Sequence, residues 1–98
     1  MIGLIGRLKA KPGKVHELEA MLHELSALAK AHEPGMLSHH FFKSREDASV
    51  FVAIEVFRDQ AALTAHSQTQ HYKDHLPRIG ALVDSTLGGG IELFDVIV

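Results

Sequence analysis

Glu55-Val56-Phe57-Arg58-Asp59-Gln60-Ala61-Ala62-Leu63-Thr64-Ala65-His66 runs an apolar strand carrying one carboxylate straight into a polar helix start, and His71-Tyr72 follows a few residues later. Residues 49–57 form the clearest strand of the chain. Val50, Val52, Ile54 and Val56 face one way, and Phe51, Ala53, Glu55 and Phe57 the other. Both faces are apolar, so both need cover. Asp59 has the side chain to cap a helix starting near Gln60, and the polar run Ser67-Gln68-Thr69-Gln70 is expected to break it. A second helical segment is predicted from about His71 to Val83, carrying Tyr72, Leu76, Ile79 and Val83. Pro77 implies a kink or a restart within it.

On the N-terminal side, residues 36–43 (Met-Leu-Ser-His-His-Phe-Phe-Lys) suit a strand, joined to the next by the polar connection Ser44-Arg45-Glu46-Asp47-Ala48. Before it, Val15, Leu18, Leu22, Leu25 and Ala29 recur at three and four from Lys14 onward, widened by Met21 and Leu28, which marks an amphipathic helix. His16, Glu17, Glu19, His23, Glu24 and Lys30 read as its solvated face. Glu33-Pro34-Gly35 ends it, because proline cannot continue the helix and glycine permits the reversal. Residues 2–10 alternate as a strand and stop at Lys11-Pro12-Gly13. Gly88-Gly89-Gly90 is read as a turn and Ile91 to Val98 as the last strand. The order strand, helix, strand, strand, helix, strand predicts an α+β, ferredoxin-like βαββαβ domain with an antiparallel sheet and its helices on one face. Two helices cover only that face. The third and last strands are apolar on both, so a second copy of the chain is expected on the reverse, as a homodimer.

A chain of 98 residues is one domain, 1–98, and hides only about 60 to 65% of its unfolded surface, so association would help it. Ten basic against 12 acidic residues, a formal charge of −2, give no broad positive field, and nucleic acid is an unexpected partner. There is no cysteine, which excludes disulfides and thiolate chemistry. No apolar run approaches the roughly 20 residues that span a bilayer, and no basic region precedes the first apolar residues. No membrane partner is expected, and a cytoplasmic protein is the default.

Glu55 stands out chemically. A carboxylate in a strand apolar on both faces must be paired, hydrogen-bonded or shifted upward in pKa, and such groups are candidate bases. The competing reading is an ion pair with Arg58 or Arg7 that merely holds strand to helix. His66 and His71 flank the helix break beside Tyr72. Imidazole exchanges a proton near neutral pH and a phenol hydrogen-bonds a ligand oxygen, although a polar junction whose histidines bond backbone would look the same. Eight histidines invite a metal reading. His71 and His75, four apart on one helix face, can ligate zinc or iron, but no third ligand is near in sequence, and no metal is expected. His39 and His40 are strand neighbours and point to opposite faces.

The chain also resembles the antibiotic biosynthesis monooxygenase domains along nearly its whole length. Lys11-Pro12-Gly13-Lys14 is similar to that family's opening of its first helix, His32-Glu33-Pro34-Gly35 to its closing turn, and Glu55 to His66 with His71-Tyr72-Lys73 to its pattern of Glu, aromatic, Asp, Gln-Ala-Ala-Leu, His and His-aromatic-Lys. The resemblance implies a dimeric α+β barrel with a small cavity in each subunit and, in some members, oxidation of polyphenols, anthrones or quinols by O2 without a cofactor. On that basis Glu55 or His66 is the proton acceptor or orienter, His71 and Tyr72 are hydrogen-bonding groups, and Phe57 is an aromatic wall for a small aromatic substrate. Family members often carry Trp where Phe57 stands. The haem-degrading branch adds an Asn and a His where this chain has Gly6 and Leu76, which disfavours haem. Other relatives are isomerases and others have no demonstrated reaction, so a proton-transfer enzyme acting on a small ligand and a non-catalytic ligand-binding or stress-response module both stay open; a shared fold does not settle the activity.

Overall fold

The computed structural model describes residues 1–84 and 90–98. Its elements are β1 (Ile2–Lys9), α1 (Val15–His32), β2 (Met36–Lys43), β3 (Val50–Phe57), α2 (Gln60–Gln68), α3 (Gln70–Leu82) and β4 (Ile91–Asp95). The strands form one open antiparallel sheet in the order β2-β3-β1-β4. The expected α+β arrangement is the one observed.

The alternation of β3 sorts its side chains. Phe51, Ala53, Glu55 and Phe57 are buried under the helices, while Val50, Val52, Ile54 and Val56 lie on the reverse, half-buried or exposed. The register carries that sorting across the sheet: Glu55 stands opposite Leu4 of β1 and His39 of β2. His39 and His40 take opposite faces, as their adjacency requires. Leu18, Leu22 and Leu25, one stripe of α1, meet Ala10, Phe51, Ile79 and Leu82 in the core. Each such leucine contributes about 1.5–3 kcal/mol by leaving water.

The helix ends follow local chemistry. Gly13, with φ of 78°, makes the left-handed turn before α1. Asp59 caps α2 as expected, its side chain accepting from the Ala62 amide at 2.8 Å. Thr69 alone makes the break between α2 and α3. Its backbone is extended, and its hydroxyl donates to the His66 carbonyl and accepts from the Tyr72 amide. Pro77 does not restart α3, which runs unbroken from Gln70 to Leu82. The residue lies on an exposed face. There the Lys73 carbonyl, which loses its usual donor, can turn to solvent.

The β2–β3 connection is held by Asp47. It accepts from the Ser49 hydroxyl and amide and from Lys9 Nζ of β1, and these bonds, Ser49 first, push its carboxyl down from 3.8 to about 2. The last strand is shorter than expected: β4 ends at Asp95 rather than Val98, where its pairing partner β1 begins at Ile2. Of the expected Gly88-Gly89-Gly90 turn, Gly88 and Gly89 lie outside the described residues. No described helix covers the reverse of the sheet, where Phe42, Ile54 and Phe94 are exposed. No described helix is long and apolar enough to cross a membrane.

Candidate functional site

Between the helices and the sheet lies a mostly apolar cavity of about 520 Å³. Leu4, Leu8, Ala53 and Leu93 form its floor, Leu22 and Leu25 of α1 one wall, and Leu63, Tyr72, Leu76 and Ile79 of α2 and α3 the rest. Two ionisable side chains buried in the fold, Glu55 and His66, also line it.

Glu55 is 5% exposed, in keeping with its inward parity on β3. Its partner is His39, whose Nε2 lies 3.0 Å from Oε1, and His39 Nδ1 lies 2.9 Å from the Ser26 hydroxyl of α1. The ring is 3% exposed and stands edge-on to Phe41. The expected alternative partners are engaged elsewhere. Arg58 sits 3.5 Å from Asp59, and Arg7 sits 3.8 Å from Glu92. Glu55 therefore belongs to a buried Ser-His-Glu chain rather than to an arginine pair.

His66 rides in the last turn of α2. Its Nδ1 lies 2.7 Å from Glu33 Oε1, and the other oxygen of Glu33 lies 2.6 Å from His71 Nε2. Glu33 is the C-cap residue of α1, so the turn that ends that helix delivers a carboxylate between two imidazoles from α2 and α3. The His66 ring packs on Phe57 at 5.3 Å and on Tyr72 at 4.8 Å between centroids.

The structure thus brings Glu55, His66 and Tyr72 to one cavity and leaves two expected site residues behind it. Phe57 is not an exposed aromatic wall. It is fully enclosed at 0% exposure, pairs with Ile2 and Met36 in the sheet, and supports the His66 ring. His71 does not line the cavity either, because Glu33 draws its Nε2 away. His71 and His75 do not converge on a common point: His75 Nδ1–H donates to the His71 carbonyl at 2.8 Å. Among the described residues no group of three or more His, Cys, Asp or Glu is placed to hold a metal ion.

Glu33, His39 and Ser26 escaped the sequence reading as site residues. Glu33 was read only as part of the turn that ends α1, and Ser26 was not singled out. His39 was recoverable in principle, since counting back along the hairpin from the Ser44–Val50 hydrogen bond sets it opposite Glu55.

The profile of one family, antibiotic biosynthesis monooxygenase, matches residues 1–78. The chain belongs to the antibiotic biosynthesis monooxygenase family. It is 30% identical over 77 residues to "Uncharacterized protein sll1783" of Synechocystis sp., a match that takes in 79% of this chain but 52% of that protein. The chain therefore spans about half the length of that relative. Among solved structures it is similar to PA3566 from Pseudomonas aeruginosa, with a TM-score of 0.87 at 30% identity over 99% of this chain and 94% of that one. Another, described as an antibiotic biosynthesis monooxygenase, matches with a TM-score of 0.89 at 28% identity over 100% of both chains.

Proposed function

We propose that this family member is a cofactor-independent monooxygenase that oxidises a small aromatic substrate, of quinol, anthrone or polyphenol type, with O2. The observation that supports the reading is a mostly apolar cavity, large enough for a few fused rings, lined by a buried carboxylate and a buried imidazole. In the net reaction a substrate CH2, or a ring C–H together with the phenolic O–H conjugated with it, loses two hydrogens and gains one oxygen atom, and the second oxygen atom leaves as water. The substrate supplies all the electrons. The chain's tasks are to desolvate the ring, remove its hydroxyl or methylene proton and hold the resulting anion where O2 can reach it. His66 or Glu55 accepts that proton, and Tyr72 presents a phenol to an oxygen of the bound ring.

The test is oxygen uptake by metal-free protein with a panel of quinols and anthrones, for wild type, Glu55→Gln and His66→Ala. Losses of about 10²-fold or more in both variants are expected if these groups move the proton. Equal rates for all three proteins refute the assignment. A second reading, a proton-transfer isomerase, is favoured by the same pair of acid–base groups in one cavity; it predicts turnover under anaerobic conditions.

We further propose a homodimer through the reverse of the sheet, where Phe42, Ile54 and Phe94 form an uncovered apolar surface.

A further inference from the structure

Each acid–base group of the cavity is tied from behind, and the ties determine what it can offer in front. Glu33 lies among buried neighbours with one oxygen on His66 Nδ1 and the other on His71 Nε2, at 2.7 and 2.6 Å. An ionised carboxylate only accepts hydrogen bonds. Both imidazole nitrogens facing Glu33 therefore carry protons, and a neutral His66 ring is left with a bare lone pair on Nε2. Among the described residues the one fully enclosed side-chain polar atom without a hydrogen-bond partner is His75 Nε2, which has Glu24 Oε1 3.3 Å away. His66 Nε2 has no partner among the described residues and is not fully enclosed, and its ring lines the cavity.

Glu55 behaves in the same way. Its Oε1 takes the His39 Nε2–H, whose other nitrogen faces the Ser26 hydroxyl, and Oε2 is left as an acceptor. The two buried ionisable groups of the cavity present acceptors to any occupant. Tyr72 alone among the three can also donate.

We infer that Glu33 is a specificity-determining positioning residue. By holding the proton of His66 on Nδ1, it makes the cavity select ligands that bring a hydrogen-bond donor, an aromatic hydroxyl or N–H, over ligands of the same shape that bring only an ether oxygen. The inference rests on the cavity being the ligand site of the reading above, and it concerns binding rather than oxygen chemistry.

The test uses 2-naphthol and 2-methoxynaphthalene as probes at mildly alkaline pH. Wild type should bind the naphthol about tenfold more tightly than the ether, the worth of roughly one net hydrogen bond. Long-range proton–nitrogen NMR should find His66 protonated at Nδ1 and bare at Nε2. In Glu33→Gln the amide can donate to Nδ1, the His66 proton moves to Nε2, and the preference falls to about twofold or less. Glu33→Asp, which keeps the charge, should retain part of the preference.

Equal affinity of wild type for the two probes, binding of neither, or a His66 proton on Nε2 in wild type overturns the inference. These wild-type readings decide the matter even where Glu33→Gln fails to fold. So does a Glu33→Gln protein that folds, carries the His66 proton on Nε2 and still keeps the full preference. A protein with the predicted selectivity and tautomer that consumes no oxygen would refute the oxygenase reading and leave this one standing.

Discussion

Gly35 is the point at which a single methyl group should disturb both stability and site. A Cβ built there would lie 2.6 Å from the Ala62 Cβ and 3.5 Å from its Cα. The glycine is not needed for a left-handed backbone, since among the described glycines only Gly13 has a positive φ. What it supplies is room for α2. The approach is held from a second side, because the Gly35 carbonyl accepts from the Arg58 amide at 2.8 Å, next to the cap of α2. Carbon atoms rest at about 3.5–4.0 Å, so Gly35→Ala must drive the turn and α2 apart by roughly 1 Å. Overpacking of that size costs about 1–3 kcal/mol, which for a chain of this length lowers Tm by about 4–8 °C per kcal/mol. Ala62→Gly alone should cost about 1 kcal/mol in helix propensity. In the double variant the clashing methyl is gone, so Gly35→Ala should then cost almost nothing, a coupling of about 1 kcal/mol or more. Urea unfolding followed by circular dichroism measures all four corners of the cycle, and His66 ring signals report the shift of α2. A Gly35→Ala protein within about 0.5 kcal/mol of wild type, or an additive double variant, would refute the steric account.

Removing His39 leaves the Glu55 carboxylate buried without its donor, so His39→Ala should lose about 3–5 kcal/mol in urea unfolding, and the added substitution Glu55→Gln should restore part of it. Phe57→Ala empties a fully enclosed site beneath His66 and should cost about 3–5 kcal/mol by the same measurement. The Asp47 carboxyl is held down at about 2 against an ordinary 3.8. A lowered folded value stabilises above the unfolded value and is lost as pH falls through the folded one, so the advantage of wild type over Asp47→Asn should be complete above pH 3.8 and fade toward pH 2. Ile54→Lys with Phe42→Asp should yield a monomer in sedimentation if the reverse of the sheet is the dimer face; a dimer that persists would refute that placement.

The periodic elements were legible because their signals are local. The stripe Leu18, Leu22, Leu25 on α1 and the alternation from Val50 to Phe57 each need only neighbours along the chain to be read, and both lie where expected. Asp59 was equally legible as a cap, since the bond it makes spans three residues. The restart that Pro77 suggested is absent because proline's cost depends on whether the carbonyl it orphans can reach water, and that is set by which side of α3 is exposed. Glu55 was recognised as a charged group in an apolar strand, but its partner was sought among arginines near in sequence, whereas the sheet register supplies a histidine 16 positions away. Phe57 was placed on the correct face; whether it lines the cavity or lies sealed beneath depends on where α2 crosses the strand end.

Glu33-Pro34-Gly35 shows how a stop signal and a site can be one motif. Pro34 prevents α1 from continuing, which leaves Glu33 at the cap with its amide on the Ala29 carbonyl and its side chain free to turn inward. Gly35 then omits the Cβ that would hold α2 away, and α2 comes close enough to set His66 against that carboxylate. The buried carboxylate is tolerable only because two imidazoles donate to it, and those imidazoles stand correctly only because the turn brings helices of distant sequence together. Each residue of the motif thus has a local role visible in the sequence and a spatial role that exists only once α2 and α3 have packed. It follows that changes at Gly35 should reach His66 through the backbone, while changes at Glu33 should reach it through a proton, so the two can be told apart by whether the ring moves or merely exchanges tautomers.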